Sequence, residues 1–284
     1  MKALVTGSAG QVGRALIAAA PSDATVVGFD RLGLDISDHA AIFRVVEAIR
    51  PDVIVNAAAY TAVDQAESEA ALAMRVNGGA VGDLAAAARS VGARLVQIST
   101  DFVFDGMRSA PYPPDAEPAP LSVYGRSKLA GERAAGHAAL IVRTAWVYSA
   151  TGHNFAKTML RLLRTRDDLQ VVSDQVGTPC FAPGLARAIW QLAAAKAQGV
   201  THFTDSGVAS WYDFAVAIQE EALAAGMLQR AAGIVPVRTT DFPTRAARPA
   251  YSVLDKENTW AALGYKAPHW RVQLRHMLKE LADG

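Results

Sequence analysis

The chain of 284 residues has one cysteine, Cys180, so no disulfide can form within it. That scarcity favours a reducing, cytoplasmic setting. It has no surplus of either charge: 28 Lys and Arg stand against 27 Asp and Glu, for a net charge of +1. This argues against a nucleic-acid binder that relies on a broad positive field. Long apolar runs are missing too. The opening "MKALVTGSAG" holds only a short apolar run before Gly7, far too short for a signal peptide or a membrane span. No later segment reaches bilayer length, so no membrane partner is expected. The six histidines are scattered without an HExxH-type spacing, so no protein-built metal site is assigned. Repeats, heptads and low-complexity tails are absent. What remains is ordinary globular composition, 51% hydrophobic and 19% charged, in a chain long enough for one large or two small domains.

Short apolar runs at 2–7, 24–30, 52–60, 93–100 and 138–146 read as strands, with helical spacing at 10–20 and 39–50 between them. Continuous apolar strands alternating with helices predict an α/β fold, a Rossmann-like doubly wound parallel sheet buried on both faces. Past Trp146 the rhythm loosens. Helices are expected at 154–164, 181–195, 211–226 and 272–281, with short strands at 169–172 and 199–204. The domain reading is a dinucleotide-binding domain over 1–145, rejoined by 178–205. A smaller substrate-binding lobe then takes 146–177 and 206–284.

"TGSAGQVG" places Gly7, Gly10 and Gly13 at three-residue intervals directly after the first strand and at the opening of a helix. The first glycine permits a tight turn, the second a close backbone approach to a pyrophosphate, the third close packing of helix on strand. The helix N-terminus offers free N–H groups to phosphate. Gln11 and Val12 belong to the same cofactor-binding turn. Asp30 closes the second strand, where a carboxylate can accept from a ribose hydroxyl, and Arg31 beside it suits a 2′-phosphate. The two pull in opposite directions, so NADPH and NADH both stay open. Asp35 and Ile36 are placed to cap an adenine edge, with a helix N-terminal acid the alternative for Asp35. Ala57, Ala58 and Ala59, small residues ending the third strand, let a cofactor lie close to the backbone.

"SVYGRSKLAG" puts Tyr124 and Lys128 four residues apart, on one helical face. Alone, such a pair is most often a solvated surface pair. Here it follows a dinucleotide turn and a strand ending in Ser99, Thr100 and Asp101. Reducing a ketone by hydride transfer needs an acid beside the developing alkoxide. A free phenol, with a pKa of about 10, is a poor one, and an ammonium one turn away is expected to lower that value. Thr100 is expected to donate to the carbonyl oxygen.

On these residues the chain resembles the extended short-chain dehydrogenase/reductases. The further set "RPDVIVNAAAYTAVDQAE", "STDFVFDG", "YGRSKLAGE", "RTAWVY", "NFAKTMLRL", "DQVGTP" and "RPAYSVLD" is similar to the dTDP-4-dehydrorhamnose reductase family. The resemblance implies NAD(P)H-dependent reduction of the C4 keto group of dTDP-4-dehydro-L-rhamnose to dTDP-L-rhamnose, a precursor of cell-surface polysaccharide. It assigns Thr100, Tyr124 and Lys128 to catalysis. Asp101, Phe102, Val103 and Trp146 would line the sugar side, and Asn154, Phe155, Gln175 and Arg248 would face the nucleotide-sugar. It also carries a homodimer, and magnesium at a dimer contact whose site the sequence does not assign. Cys180 departs from the family's more frequent threonine, with no histidine evident as a base for it. Two alternatives stay open: another nucleotide-sugar epimerase or dehydratase, and a non-catalytic subunit resembling the methionine adenosyltransferase accessory subunit. The lack of a second acid after Asp101 speaks against a dehydratase, and the Tyr124–Lys128 pair against the accessory subunit.

Overall fold

The computed structural model describes residues 1–283. Its apolar runs pair into one six-stranded sheet. These strands are β1 (Lys2–Thr6), β2 (Thr25–Phe29), β3 (Val53–Asn56), β4 (Arg94–Thr100), β5 (Leu140–Thr144) and the strand Gly199–His202. Every pairing is parallel, and the order in space is Gly199–His202, β5, β4, β3, β1, β2. The winding direction reverses at β1, which lies between β3 and β2. In such sheets ligands bind outside the carboxyl ends of the strands, at that reversal.

Side chains alternate faces along a strand, so β1 feeds two separate cores. Val5 packs with Leu16, Leu185, Ile189 and Trp190 under the helices Gln11–Ala18 and Ala182–Ala194. Leu4 packs with Ile42, Val46, Ile54 and Leu84 under the helices His39–Ile49 and Ala80–Val91. The doubly wound sheet expected from the apolar strands is therefore present. Residues 61–92, which the sequence reading passed over, supply much of one helical layer. Ala70–Met74 runs through a π-helical turn at Arg75–Gly79 into Ala80–Val91. That turn carries Asn77, Gly78 and Gly79, which on their own look like a loop.

A further core lies beyond β5. The helices Phe155–Thr165, Trp211–Ala224 and Trp270–Asp283 bury Leu160, Leu163, Phe214, Ile218, Leu274 and Met277 against one another. The strand Asp168–Val172 pairs in parallel with Gly233–Val237, an element the sequence reading left out. Pro236 in that strand is tolerated because the sheet has only two strands and both are edges. The loop 250–255 stitches the halves together. Ser252 N–H donates to Val176 O at 2.8 Å, and Tyr112 N–H to Val253 O at 2.8 Å. Among the described residues no helix is long and apolar enough to cross a membrane.

Candidate active site

A cavity of about 640 Å³ opens at the carboxyl ends of β1, β3, β4 and β5. At its front is the glycine turn. Gly7 adopts φ 67°, and a Cβ there would lie 2.6 Å from Ala58 N. Gly13 sits under the turn rather than on the cavity, where a Cβ would lie 2.2 Å from Gly7 O. Gly10 has no side chain to cap the helix it precedes, which leaves the first-turn amides to bond an anionic ligand. Gly7, Gly10, Gln11, Val12, Ala57, Ala58 and Ala59 all line the cavity, and the turn fits a dinucleotide's pyrophosphate. Gln11 also clamps the turn to the second half of the chain. Its Oε1 accepts from Ser149 Oγ at 3.1 Å and Asn154 Nδ2 at 2.9 Å, and its Nε2 donates to His153 O at 3.1 Å.

Asp30, Arg31, Asp35 and Ile36 form the outer rim. Asp30 Oδ1 accepts from Leu32 N–H and Gly33 N–H, at 3.0 and 2.9 Å, leaving its other oxygen uncommitted. The Arg31 side chain is 82% exposed and stands 3.7 Å from Asp35. Asp35 does not cap a helix. It accepts from Ser37 N–H, which holds its carboxyl below the usual range with Arg31 assisting, while Asp38 caps His39–Ile49.

The helix Val123–Ala135 positions the central pair. Ser122 caps it by accepting from Gly125 N–H at 3.1 Å, and the Glu67 carboxylate accepts from Val123 N–H at 2.8 Å. Gly125 lets the helix close onto the turn after β4, since a Cβ there would lie 2.2 Å from Phe102 O. Tyr124, Lys128 and Thr100 consequently face one cavity. Their electrostatics differ from the expectation. Burial pushes the Tyr124 phenol up to about 12, the Thr100 hydroxyl opposes this, and the Asp101 carboxylate adds to it. Lys128 is itself pushed down to about 8 by burial, with Glu132 opposing, and its Nζ donates to Ile98 O at 2.6 Å. One of the three ammonium donors is taken by that carbonyl, and desolvation, not the neighbouring cation, sets the direction of the phenol's shift.

Below Lys128 lies a closed polar network. Glu132 takes two charge-assisted bonds from Arg143, Nε to Oε1 at 2.9 Å and Nη2 to Oε2 at 2.7 Å, and a third from Ser99 Oγ. Beside Tyr124 lies a different set. Thr100 Oγ1 donates to Asp101 Oδ1 at 3.0 Å and accepts from Phe102 N–H at 3.2 Å, while Ser252 Oγ donates to Asp101 Oδ2 at 2.5 Å. Burial raises the Asp101 carboxyl to about 6 against these bonds.

At the far end Trp146 lines the cavity with φ 45°, in the left-handed region. A bulky residue there is strained and is held by its surroundings. Its indole stacks on Trp211, with centroids 3.5 Å apart and planes 7° apart. Asn154 lines the cavity as well, but its amide is committed as a helix cap on Lys157 N–H and to Gln11 and Ser149.

Five residues expected on the substrate side do not line it. Phe102 stands edge-on to Tyr124 at 5.8 Å. Val103 is fully buried in a core with Phe104 and Leu129. Phe155 packs on Trp211 and Phe214. Gln175 donates to Thr239 Oγ1 at 3.0 Å. Arg248 makes a fork with Asp64, Nη2 to Oδ2 at 2.6 Å and Nη1 to Oδ1 at 3.1 Å. Cys180 is fully buried, and burial raises its thiol, the opposite of a nucleophile's environment. Among the described residues no three His, Cys, Asp or Glu side chains gather as a metal cage. Sequence reading missed Glu132, Arg143, Asn77 and Ser252. Glu132 had one available signal, its place one turn beyond Lys128.

A dinucleotide turn at the switch point, with a tyrosine and a lysine one helical turn apart at the neighbouring strand end, defines the short-chain dehydrogenase/reductase class. The RmlD substrate binding domain family matches residues 1–283. A dTDP-4-dehydrorhamnose reductase of Burkholderia thailandensis is 42% identical over 295 residues, covering 99% of each chain. The crystal structure of a dTDP-4-dehydrorhamnose reductase from Clostridium acetobutylicum superposes with TM-score 0.93 at 39% identity, over 99% of this chain and 100% of that one. The Bacillus anthracis dTDP-4-dehydrorhamnose reductase, solved in complex with NADP, gives TM-score 0.92 at 37% identity, over 98% and 99%. The chain belongs to the RmlD substrate binding domain family, in company with these dTDP-4-dehydrorhamnose reductases.

Proposed function

We propose that the chain reduces the C4 keto group of dTDP-4-dehydro-L-rhamnose to dTDP-L-rhamnose with NADPH or NADH. The observation that carries this reading is the single cavity that unites the glycine turn, Thr100, Tyr124, Lys128 and the Trp146 indole. Bound nicotinamide supplies the hydride. The turn of Gly7, Gly10, Gln11 and Val12 holds the pyrophosphate, with Asp30 and Arg31 at the adenosine end. Lys128 holds the nicotinamide ribose. Tyr124 gives its phenolic proton to the ketone oxygen as that oxygen gains charge, and Thr100 fixes the oxygen's position. Trp146 packs its ring on the sugar. The elements of 146–177 and 206–284 act as the substrate-binding lobe. The resemblance extends the same proposal to a homodimer in the cytoplasm, and light scattering at the mass of one chain would remove the dimer.

Purified protein given dTDP-4-dehydro-L-rhamnose and NADPH is expected to consume nicotinamide absorbance in proportion to sugar reduced. No substrate-dependent loss with either cofactor overturns the reading. Arg31→Ala is expected to weaken NADPH by about tenfold and NADH little, measured as Kd by fluorescence, since a guanidinium has no partner on a 2′-hydroxyl of comparable strength.

A further inference from the structure

Asp101 is 2% exposed, and the groups facing it come from three elements. Thr100 and the Phe102 N–H belong to its own strand end, Ser252 comes from the C-terminal loop, and the Tyr124 phenol comes from the helix. None of these is a cation.

We propose that Asp101, held by Ser252, is a positioning acid that sets which way the Thr100 hydroxyl donates, so that the site grips a substrate carbonyl only when Asp101 is protonated. The inference rests on the keto-sugar reading above.

A threonine hydroxyl has one hydrogen and two acceptor positions. The Phe102 N–H occupies one acceptor position of Thr100. An ionised carboxylate only accepts, so ionised Asp101 takes the Thr100 hydrogen through Oδ1. Thr100 then offers the cavity a lone pair. It can take the hydrogen of Tyr124, but it cannot donate to a ketone oxygen, which is also acceptor-only. In the protonated acid the count reverses. Ser252 already donates to Oδ2, so the acid's hydrogen sits on Oδ1 and fills the last acceptor position of Thr100. The Thr100 hydrogen turns into the cavity. Two donors, Thr100 and Tyr124, then meet the two lone pairs of one carbonyl oxygen.

The proton on Asp101 comes from water as the sugar binds and stays on the carboxyl through turnover. The proton added to the sugar oxygen is the one from Tyr124. Because burial already lifts the Asp101 carboxyl to about 6, the switch falls in a working range. A ligand that needs the protonated form lifts it further.

The test compares wild type with Asp101→Asn, Ser252→Ala and Ser252→Thr. Two readouts are taken: kcat/KM against pH, and the infrared carboxylic-acid band of the substrate-free protein. Wild-type kcat/KM is expected to fall about tenfold per pH unit above the Asp101 titration. Asp101→Asn is expected to lose that limb, because the amide oxygen accepts from Ser252 while the NH₂ donates permanently to Thr100. Ser252→Ala moves the limb and the infrared titration to higher pH, since a bond that favours the ionised acid is gone, and Ser252→Thr restores both. An Asn variant that keeps the wild-type limb overturns the proposal, and so does an infrared titration indifferent to Ser252. A chain that titrates as expected but turns over no keto sugar leaves the hydroxyl geometry standing and removes the substrate reading instead.

Discussion

Glu132 and Asp101 are 5% and 2% exposed, and both lie within one helical turn or one strand step of the central residues. Their surroundings differ in kind. Glu132 meets a guanidinium in a two-bond fork, with Arg143 itself 3% exposed. Asp101 meets hydroxyls and backbone N–H groups only. A buried carboxylate matched by a full counter-charge acts as scaffold. One with neutral donors alone keeps a titration within reach of ordinary pH. The fold therefore places a rigid charge pair behind Lys128 and an adjustable acid beside Tyr124.

On stability, the largest effect is expected from breaking the compensated side. Glu132→Ala strands the Arg143 charge in the interior and should cost about 3–5 kcal/mol in chemical denaturation. Adding Arg143→Met should recover most of that loss, and failure to recover would mean the pair is more than charge compensation. Asp101 comes next, through pH. Its folded pKa of about 6 lies above the ordinary 3.8, so its contribution is fully present below about pH 4 and is lost as pH rises through about 6. The loss should approach about 3 kcal/mol, and denaturation of Asp101→Asn across the same window should show that slope removed. The smallest stability effect is expected between the two networks. Tyr124→Phe removes one hydroxyl beside the Asp101 set and breaks no bond of either network, so it should change stability by less than about 1 kcal/mol, yet lower turnover about a hundredfold with cofactor Kd intact. Full activity in that variant would remove the phenol from the chemistry and leave Asp101 without the partner the comparison gives it.

The sheet was legible because strands buried on both faces read as unbroken apolar runs, and β1 to β5 fall within the expected stretches. The glycine turn was legible for a local reason: strand, turn and helix adjoin in sequence. What escaped depends on distance along the chain. Ser252 reaches Asp101 across 151 positions, and Asp64 claims Arg248 across 184. No local pattern in "RPAYSVLD" shows that its arginine is already paired or that its serine faces a carboxylate. The Tyr124–Lys128 expectation erred in a related way. Spacing places two side chains on one face, but it does not say how dry that face is, and dryness decided both shifts. The helix over Ala80–Val91 was missed because Asn77-Gly78-Gly79 resembles a break, whereas its first residue is held by Tyr60 and Ser127 inside a widened turn.

The Gln11 clamp has a consequence for synthesis. The phosphate turn leaves the ribosome well before its anchors, since Ser149, the first of them, lies 138 positions further along the chain, with His153 and Asn154 beyond it. Until they emerge the turn lacks its tether, so a nascent chain is expected to gain nucleotide affinity late and abruptly rather than in proportion to its length.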